Sequence, residues 1–326
     1  MIDVKLLVSD KAKEQIPQRN DSYNLKRYQA FVETFGQGNF GLVSASSLER
    51  ELSRGIPCQT IVLNDNLDII DTEYTSVDCT LFIASNFERL NGDKMKLEEM
   101  TGLVDYIEGK VKEGSIGYMV NTGKATLAED KLFGLEIGKT GFRTPPTYHF
   151  QSFKDFEEFV LSSEDAYILK HRFGEAGKQV SKVTRKNIGD FRDFNIEEYI
   201  SQSELDIESE VRIICFDGEF LGSRIIFDRT RPWEVKGASG RKHTVEKYKP
   251  FEWEVDETKK VLELVGATLG CIDWVNTSDG LRYFLEFNGA GTGMGYKGHP
   301  YDLTHDPQAP SNRCCAGCRW VPTLFQ

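Results

Sequence analysis

The sequence predicts a mixed α/β and α+β architecture: an N-terminal α/β lobe over residues 1–125, a second lobe over 126–200 and a strand-rich third over 201–326. Three observations carry this. Short apolar runs alternate with helical patterns in the first 125 residues, which is how a parallel sheet reads. The segment Thr140 to Thr147, with Pro145 and Pro146, then breaks the chain, because proline cannot continue a helix. From Val211 onward strands dominate, with one helix around Asp256 to Gly266. A chain of 326 residues is also too long for one compact core.

The elements follow in order. Met1 to Val8 reads as a first strand, too short and wrongly flanked for a signal peptide. Gly36 to Gly41 is glycine-rich but follows a helical pattern rather than a strand, so it reads as a plain turn. Gly41 to Ala45 is a strand running into a helix over Ser46–Arg54. Thr60–Leu63, Thr80–Ala84 and Gly117–Asn121 are further strands, and Leu97–Glu113 is a helix. Helical signals resume at Ala128–Gly138. Ser152 with Asp155 resembles a helix N-terminus, and Phe153, Phe156, Phe159 and Val160 share one face beyond it. Ala166–Lys170 and Gln179–Val183 are strands on either side of a turn. Residues 296–326 hold four of the ten prolines and no helical face, which predicts irregular chain.

Composition narrows the function. With 51 acidic and 40 basic residues the net charge is -11, which argues against a nucleic-acid binder resting on phosphate contacts. No apolar run approaches bilayer length, so the expectation is a cytoplasmic protein without a membrane partner. Cys58, Cys79, Cys215 and Cys271 read as small buried hydrophobes in a reducing compartment. Cys314, Cys315 and Cys318 cluster near the end, with His299 and His305 the nearest imidazoles. The spacing does not complete a usual zinc site.

The chemistry concentrates in a few places. In Tyr283-Phe284-Leu285-Glu286-Phe287-Asn288, strand alternation puts Glu286 and Asn288 on one face, and Cys271-Ile272-Asp273 ends a second short strand in another carboxylate. Three hard oxygen donors suit Mg²⁺. Lys131 opens a helix, and Lys170 ends a strand facing the turn that contains Gly174 and Gly177, an arrangement able to meet phosphates. Asn195 to Ile200 reads as an acidic-then-apolar linker. Its exposed backbone, over Glu197, Glu198, Tyr199 and Ile200, could pair with adenine, with Glu204 or Asp206 on ribose hydroxyls. Asp217-Gly218 marks a hairpin that places Arg212 on its first strand, where it could neutralise a terminal phosphate. A loop from Arg224 to Lys242, with Arg229, Arg231, Lys236 and Arg241, could hold an anionic substrate.

In this order the pieces resemble the ATP-grasp superfamily, nearest to carboxylate–amine ligases of the ribosomal-protein glutamate ligase type and further from glutathione synthetases. The resemblance rests on Asp130-Lys131, Ile168-Leu169-Lys170 with Gly174 and Gly177, Glu197 to Ile200, Val211-Arg212, Asp273 and Glu286-Phe287-Asn288, across about residues 118–295. It implies an N-terminal α/β lobe followed by a two-lobe ATP-grasp fold. It also implies ATP held by Lys131 and Lys170, an adenine hinge at Glu197 to Ile200, and Arg212 near the transferred phosphoryl group. Two Mg²⁺ ions, or Mn²⁺ in their place, would sit on Asp273, Glu286 and Asn288. The implied reaction activates a carboxylate as an acyl phosphate and passes it to an amine of an amino acid or peptide, leaving ADP and phosphate. Peptide macrocyclisation is an alternative of the same superfamily, and a non-catalytic nucleotide-binding protein a third reading, which the intact ligand set disfavours. The sequence leaves homo-oligomerisation open. Two features depart from the pattern: Lys178-Gln179 in the phosphate turn, and the run Gly289 to Gly295 where relatives often carry a proline and a helix.

Overall fold

A computed structural model describes residues 4–8, 40–63, 69–83, 97–121, 123–174, 179–227 and 244–289. Gly177, Lys178, the basic positions from Arg229 to Lys242, the turn before Phe40 and the cysteine-bearing C-terminal segment lie outside the described residues.

Among the described residues the chain forms three sheets. The first holds β1 (Val4–Val8), β2 (Phe40–Ser44), β3 (Cys58–Leu63), β4 (Ile69–Thr75), β5 (Cys79–Ile83) and β6 (Ile116–Val120), in the order β4-β3-β2-β1-β5-β6. β1 runs parallel to β2 and β5, and β5 parallel to β6. β3 and β4 differ from the all-parallel expectation: they add an antiparallel ribbon at one edge. Such a ribbon needs only a short connection, whereas each parallel pairing needs a crossover. The helix Ala45–Arg54 starts where Ser44 Oγ accepts the Ser47 amide, and Gly55 closes it at φ 62°. The helix Leu97–Glu113 buries Leu103, Val104 and Ile107 against Val43, Phe82 and Met119. Each such side chain contributes about 1.5–3 kcal/mol by leaving water.

The second sheet holds β7 (Thr147–His149), β8 (Tyr167–His171), β9 (Val180–Val183) and β10 (Tyr199–Ser203), in the antiparallel order β7-β10-β8-β9. The helix Phe153–Ser162 covers it. Ser152 Oγ accepts the Asp155 amide at 3.2 Å, and Phe156 and Val160 are fully buried. The segment read as an exposed linker is built differently. Ile196–Glu198 is a single 3-10 turn, and from Tyr199 the chain is an interior strand with neighbours on both sides. The apolar Tyr199-Ile200 pair favours the sheet interior, where Ile200 is fully buried.

The third sheet holds β11 (Ile207–Phe216), β12 (Glu219–Phe227), β13 (Thr244–Lys247), β14 (Leu269–Thr277) and β15 (Arg282–Asn288), in the antiparallel order β13-β12-β11-β14-β15. Asp217 at φ 43° and Gly218 at φ 75° form the tight turn between β11 and β12. Arg224 lies in β12 rather than in a loop, because Phe220 to Phe227 continues the hairpin. The covering helix spans Glu252–Val265 and starts earlier than expected, at an N-terminus where the Glu254 carboxylate reaches back to accept the Phe251 amide at 2.8 Å. Its Val261, Leu262 and Val265 pack on Val211, Ile213, Ile272, Trp274, Phe284 and Phe287.

Asp273 does not end a short strand. It sits within nine-residue β14, which Trp274 and Val275 extend into the core. The register between β14 and β15 slips beside it: Asp273 pairs with Glu286, but Trp274 pairs with Phe284, leaving Leu285 as an extra residue. Strict alternation would put Phe284 and Glu286 on one face. The bulge separates them, so Phe284 joins Phe287 in the core while Glu286 and Asn288 take the other side.

The first and third sheets meet at Asn121. Its Nδ2 donates to Leu269 O at 2.7 Å and its Oδ1 accepts the Leu269 amide at 2.8 Å, so one side chain takes over both backbone groups of a strand end.

Candidate active site

The face of the third sheet opposite the helix carries the charged residues. Antiparallel register sets Arg212 on β11 opposite Asp273 on β14, and Asp273 opposite Glu286 on β15. Residues directly opposite share a face, and Asn288 joins them two positions on. Arg212 Nε and Nη2 donate to the two Asp273 carboxylate oxygens, with side chains 5% and 0% exposed. Burial works against the guanidinium charge, but the Asp273 carboxylate outweighs it and holds the Arg212 pKa above its ordinary value. Asn288 Nδ2 donates to Asp273 Oδ2 at 3.1 Å and lies 3.4 Å from Glu286 Oε1.

The turn between the helices Gly123–Leu127 and Phe133–Lys139 approaches the same face. Lys131 belongs to this turn rather than opening the helix itself. Asp130 stays in the turn as well, its Oδ1 accepting the Leu132 amide at 3.0 Å just before the helix begins. Lys131 Nζ donates to Gly174 O at 2.6 Å, lies 3.4 Å from Arg172 O and stands 4.0 Å from Glu286 Oε2. Glu129 Oε1 accepts the Gly289 amide at 2.8 Å, fastening the chain just past Asn288. A Cβ at Gly289 would come within 2.3 Å of that oxygen, so a larger residue would have to displace the Glu129 carboxylate.

On the second sheet, Lys170 Nζ donates to Gln202 Oε1 at 2.6 Å, and Gln202 Nε2 donates to Thr147 Oγ1 at 3.0 Å, a relay across three adjacent strands. Glu204 is held by Lys182 at 2.7 Å. Asp206 is exposed and takes a hydrogen bond from Ser278 Oγ. In the 3-10 turn the Glu197 carbonyl accepts from His149 Nε2 at 2.8 Å and the Glu198 carbonyl accepts the Arg172 amide at 2.8 Å. Both carbonyls are thus committed within the protein, contrary to the expectation of free linker groups. Tyr199 packs edge-on against His171, with ring centroids 5.2 Å apart.

The structure therefore gathers Lys131, Gly174, Arg212, Asp273, Glu286 and Asn288 into one place. It sets Lys170, Glu204 and Asp206 in separate pairings. Arg224 is the backbone register partner of Arg212. Four positions escaped sequence reasoning: Asn121, Glu129, Arg172 and Gln202. Arg172 pairs through Nε with both Asp130 oxygens at 3.2 Å and through Nη2 with one of them. Its only sequence signal is its place two residues after Lys170.

The donor chemistry fits a hard divalent cation. Asp273, Glu286 and Asn288 offer oxygen atoms, and the amide of Asn288 already touches both carboxylates, so the three are near enough to share one ion. Asp273 is partly neutralised by Arg212, which leaves Glu286, 24% exposed, as the main anionic ligand. Among the described residues there is no group of three or more His, Cys, Asp and Glu that could hold a metal by themselves.

No protein-family model matches the chain. No curated protein sequence matches it either. Solved structures do. The macrocyclase MdnC from Microcystis aeruginosa, bound with precursor peptide MdnA, is 14% identical over 89% of this chain and 92% of its own, with a TM-score of 0.56. The ATP-grasp ligase PsnB, complexed with a phosphomimetic variant of its minimal precursor, Mg and ADP, is 14% identical over 100% and 99%, with a TM-score of 0.55. This chain has the ATP-grasp fold. D-alanine–D-alanine ligase from Bacillus anthracis, complexed with ATP, shares that fold at 10% identity over 89% and 86%, with a TM-score of 0.54. In ATP-grasp terms the described chain provides the α/β sheet, the four-stranded sheet and the five-stranded sheet that carries the acidic residues. Among the described residues no helix is long and apolar enough to cross a membrane.

Proposed function

We propose that the protein is an ATP-dependent carboxylate–amine ligase working through an acyl phosphate. The observation that carries this reading is the row Arg212, Asp273 and Glu286 in register across three strands, with Asn288 on the same face and Lys131 at 4.0 Å from Glu286. A positive group and an oxygen-donor set at one end of a cleft suit a magnesium triphosphate. Similarity to ligases whose structures hold ATP, or Mg and ADP, supports the same assignment.

In this reading Glu286, Asn288 and Asp273 would hold Mg²⁺. When bound, the metal supplies charge neutralisation at the β- and γ-phosphates. Arg212 pairs with Asp273 through both arms and fixes its carboxylate. Lys131 and Lys170 face the phosphates, and Glu197 to Ile200 lie beside the base, with Glu204 or Asp206 toward the ribose. A substrate carboxylate oxygen attacks the γ-phosphorus and ADP leaves. The amine nitrogen then attacks the acyl carbon, phosphate departs and the nitrogen gives up a proton. The protein contributes position and charge rather than a covalent bond. The finer likeness to ribosomal-protein glutamate ligases rests on the ordered motif alone. Neighbours that bind precursor peptides keep a peptide substrate, including macrocyclisation, within the proposal.

The test is nucleotide product analysis with Mg²⁺ across a panel of amino acids and acidic peptides. ADP and phosphate, formed only when a carboxylate and an amine are both supplied, support the reading. AMP and pyrophosphate would overturn it.

A further inference from the structure

Arg172 touches three segments of the chain at once. Its amide donates to Glu198 O at 2.8 Å, in the 3-10 turn Ile196–Glu198. Its carbonyl accepts the Lys131 amide at 3.0 Å and lies 3.4 Å from Lys131 Nζ. Its guanidinium pairs with Asp130 through Nε and Nη2, with side chains 18% and 8% exposed. Asp130 is the residue before Lys131, and Arg172 comes directly after β8, whose Lys170 faces Gln202. Glu129, one residue earlier, holds the Gly289 amide beyond Asn288. Three successive side chains, Glu129, Asp130 and Lys131, thus reach Gly289 just past β15, Arg172 just past β8, and Gly174.

A lysine has a long flexible stem, and its ammonium carries little directional preference of its own. What sets Lys131 is its backbone, and that backbone is fixed from one side by the Arg172 carbonyl and from the other by the Asp130 pair. A bidentate arginine–carboxylate pair fixes both orientation and distance. It spans 42 residues of sequence and ties the turn before the helix Phe133–Lys139 to the second sheet.

We propose that Asp130 and Arg172 are positioning residues that act through Lys131 to bind the nucleotide phosphates. This rests on the ligase reading above. The pair acts at one remove: it holds the Lys131 ammonium at the Gly174 carbonyl and 4.0 Å from Glu286, where its charge would be available to a phosphate.

The experiment titrates ATP with Mg²⁺ into the full-length protein, wild type and Asp130→Asn, in the native and in a Lys131→Met background. Asp130→Asn alone should weaken binding about tenfold, the loss expected when a charge-assisted contact is misplaced. In the Lys131→Met background the same change should cost less than about twofold, because the group it positions is gone. Arg172→Lys, which keeps the charge and loses the fork, should weaken ATP binding by an intermediate amount. It is the variant to read if Asp130→Asn fails to fold. A thermal melt without nucleotide separates simple destabilisation from positioning. Equal losses in both backgrounds, or ATP affinity within twofold of wild type in a folded Asp130→Asn or Arg172→Lys protein, would overturn the proposal. A wild-type protein that binds no Mg²⁺·ATP would instead overturn the ligase reading beneath it.

Discussion

Asp273 receives both arms of the Arg212 guanidinium from the neighbouring strand, and neither side chain is more than 5% exposed. A charge taken out of water this completely is tolerated only because its partner is present. Asp273→Ala would leave Arg212 buried and unpaired, and should cost about 3–5 kcal/mol of stability. Replacing both, as Arg212→Leu with Asp273→Leu, should be less costly than either single change. Urea unfolding of the three variants measures this. A double variant as unstable as the sum of the singles would show that the pair is not a closed unit.

Glu286 is the partly exposed member of the same row, so its charge can be removed without opening a core. Glu286→Gln should keep the fold and the melting temperature. Turnover to ADP should fall about a thousandfold, the rate equivalent of several kcal/mol of lost charge stabilisation. Asn288→Ala, which deletes a neutral ligand, should be milder. Steady-state ADP release with each variant is the check.

Lys170 is aimed by a relay of Gln202 and Thr147 across adjacent strands. Lys170→Ala should weaken ATP binding about tenfold, and Gln202→Leu about threefold, because the second removes only the acceptor that orients the lysine and leaves its charge in place. Isothermal titration with Mg²⁺·ATP ranks the two. A larger effect from Gln202 would mean that the amide, not the ammonium, meets the nucleotide.

Glu51 predicts a pH dependence. Burial pushes its pKa up, but hydrogen bonds from the Cys58 amide, Tyr106, Ser76 and the Val77 amide together outweigh that and hold it below its ordinary value of 4.5. A carboxyl with a depressed folded pKa binds protons more readily when unfolded. Its stabilisation is therefore fully present above pH 4.5 and is lost as pH falls through the folded value. Denaturant midpoints should lose this contribution only as pH falls below 4.5, and Glu51→Gln should flatten that part of the curve.

What the sequence discloses is local. Leu97–Glu113 appears as read, since its apolar spacing and its charge pattern agree. The Asp217-Gly218 turn follows from the two residues best able to take positive φ. Glu286 and Asn288 share a face because two positions in a strand always do. The contacts that close the site are different in kind. Arg212 and Asp273 are 61 residues apart, Asp130 and Arg172 are 42 apart, and Asn121 reaches Leu269 across 148. Such pairs depend on which strand lies next to which, and no periodicity within one segment encodes that. Asp273 was expected at a strand end because the apolar run before it is short. The residues after it, Trp274 and Val275, are fully committed to the core and carry the strand on.

The slip at Leu285 has a further meaning for how this strand can change. In an unbroken strand, the sequence positions that fill the core and those that face the cleft are locked in one alternating phase, so inserting or deleting a residue would exchange the two roles along the whole strand. Here the phase is reset between Phe284 and Glu286. The stretch that anchors against Trp274 and the stretch that presents the acidic group behave as two independent modules on one backbone. Length changes toward Arg282 can be absorbed at Leu285 without turning Glu286 and Asn288 away from Asp273.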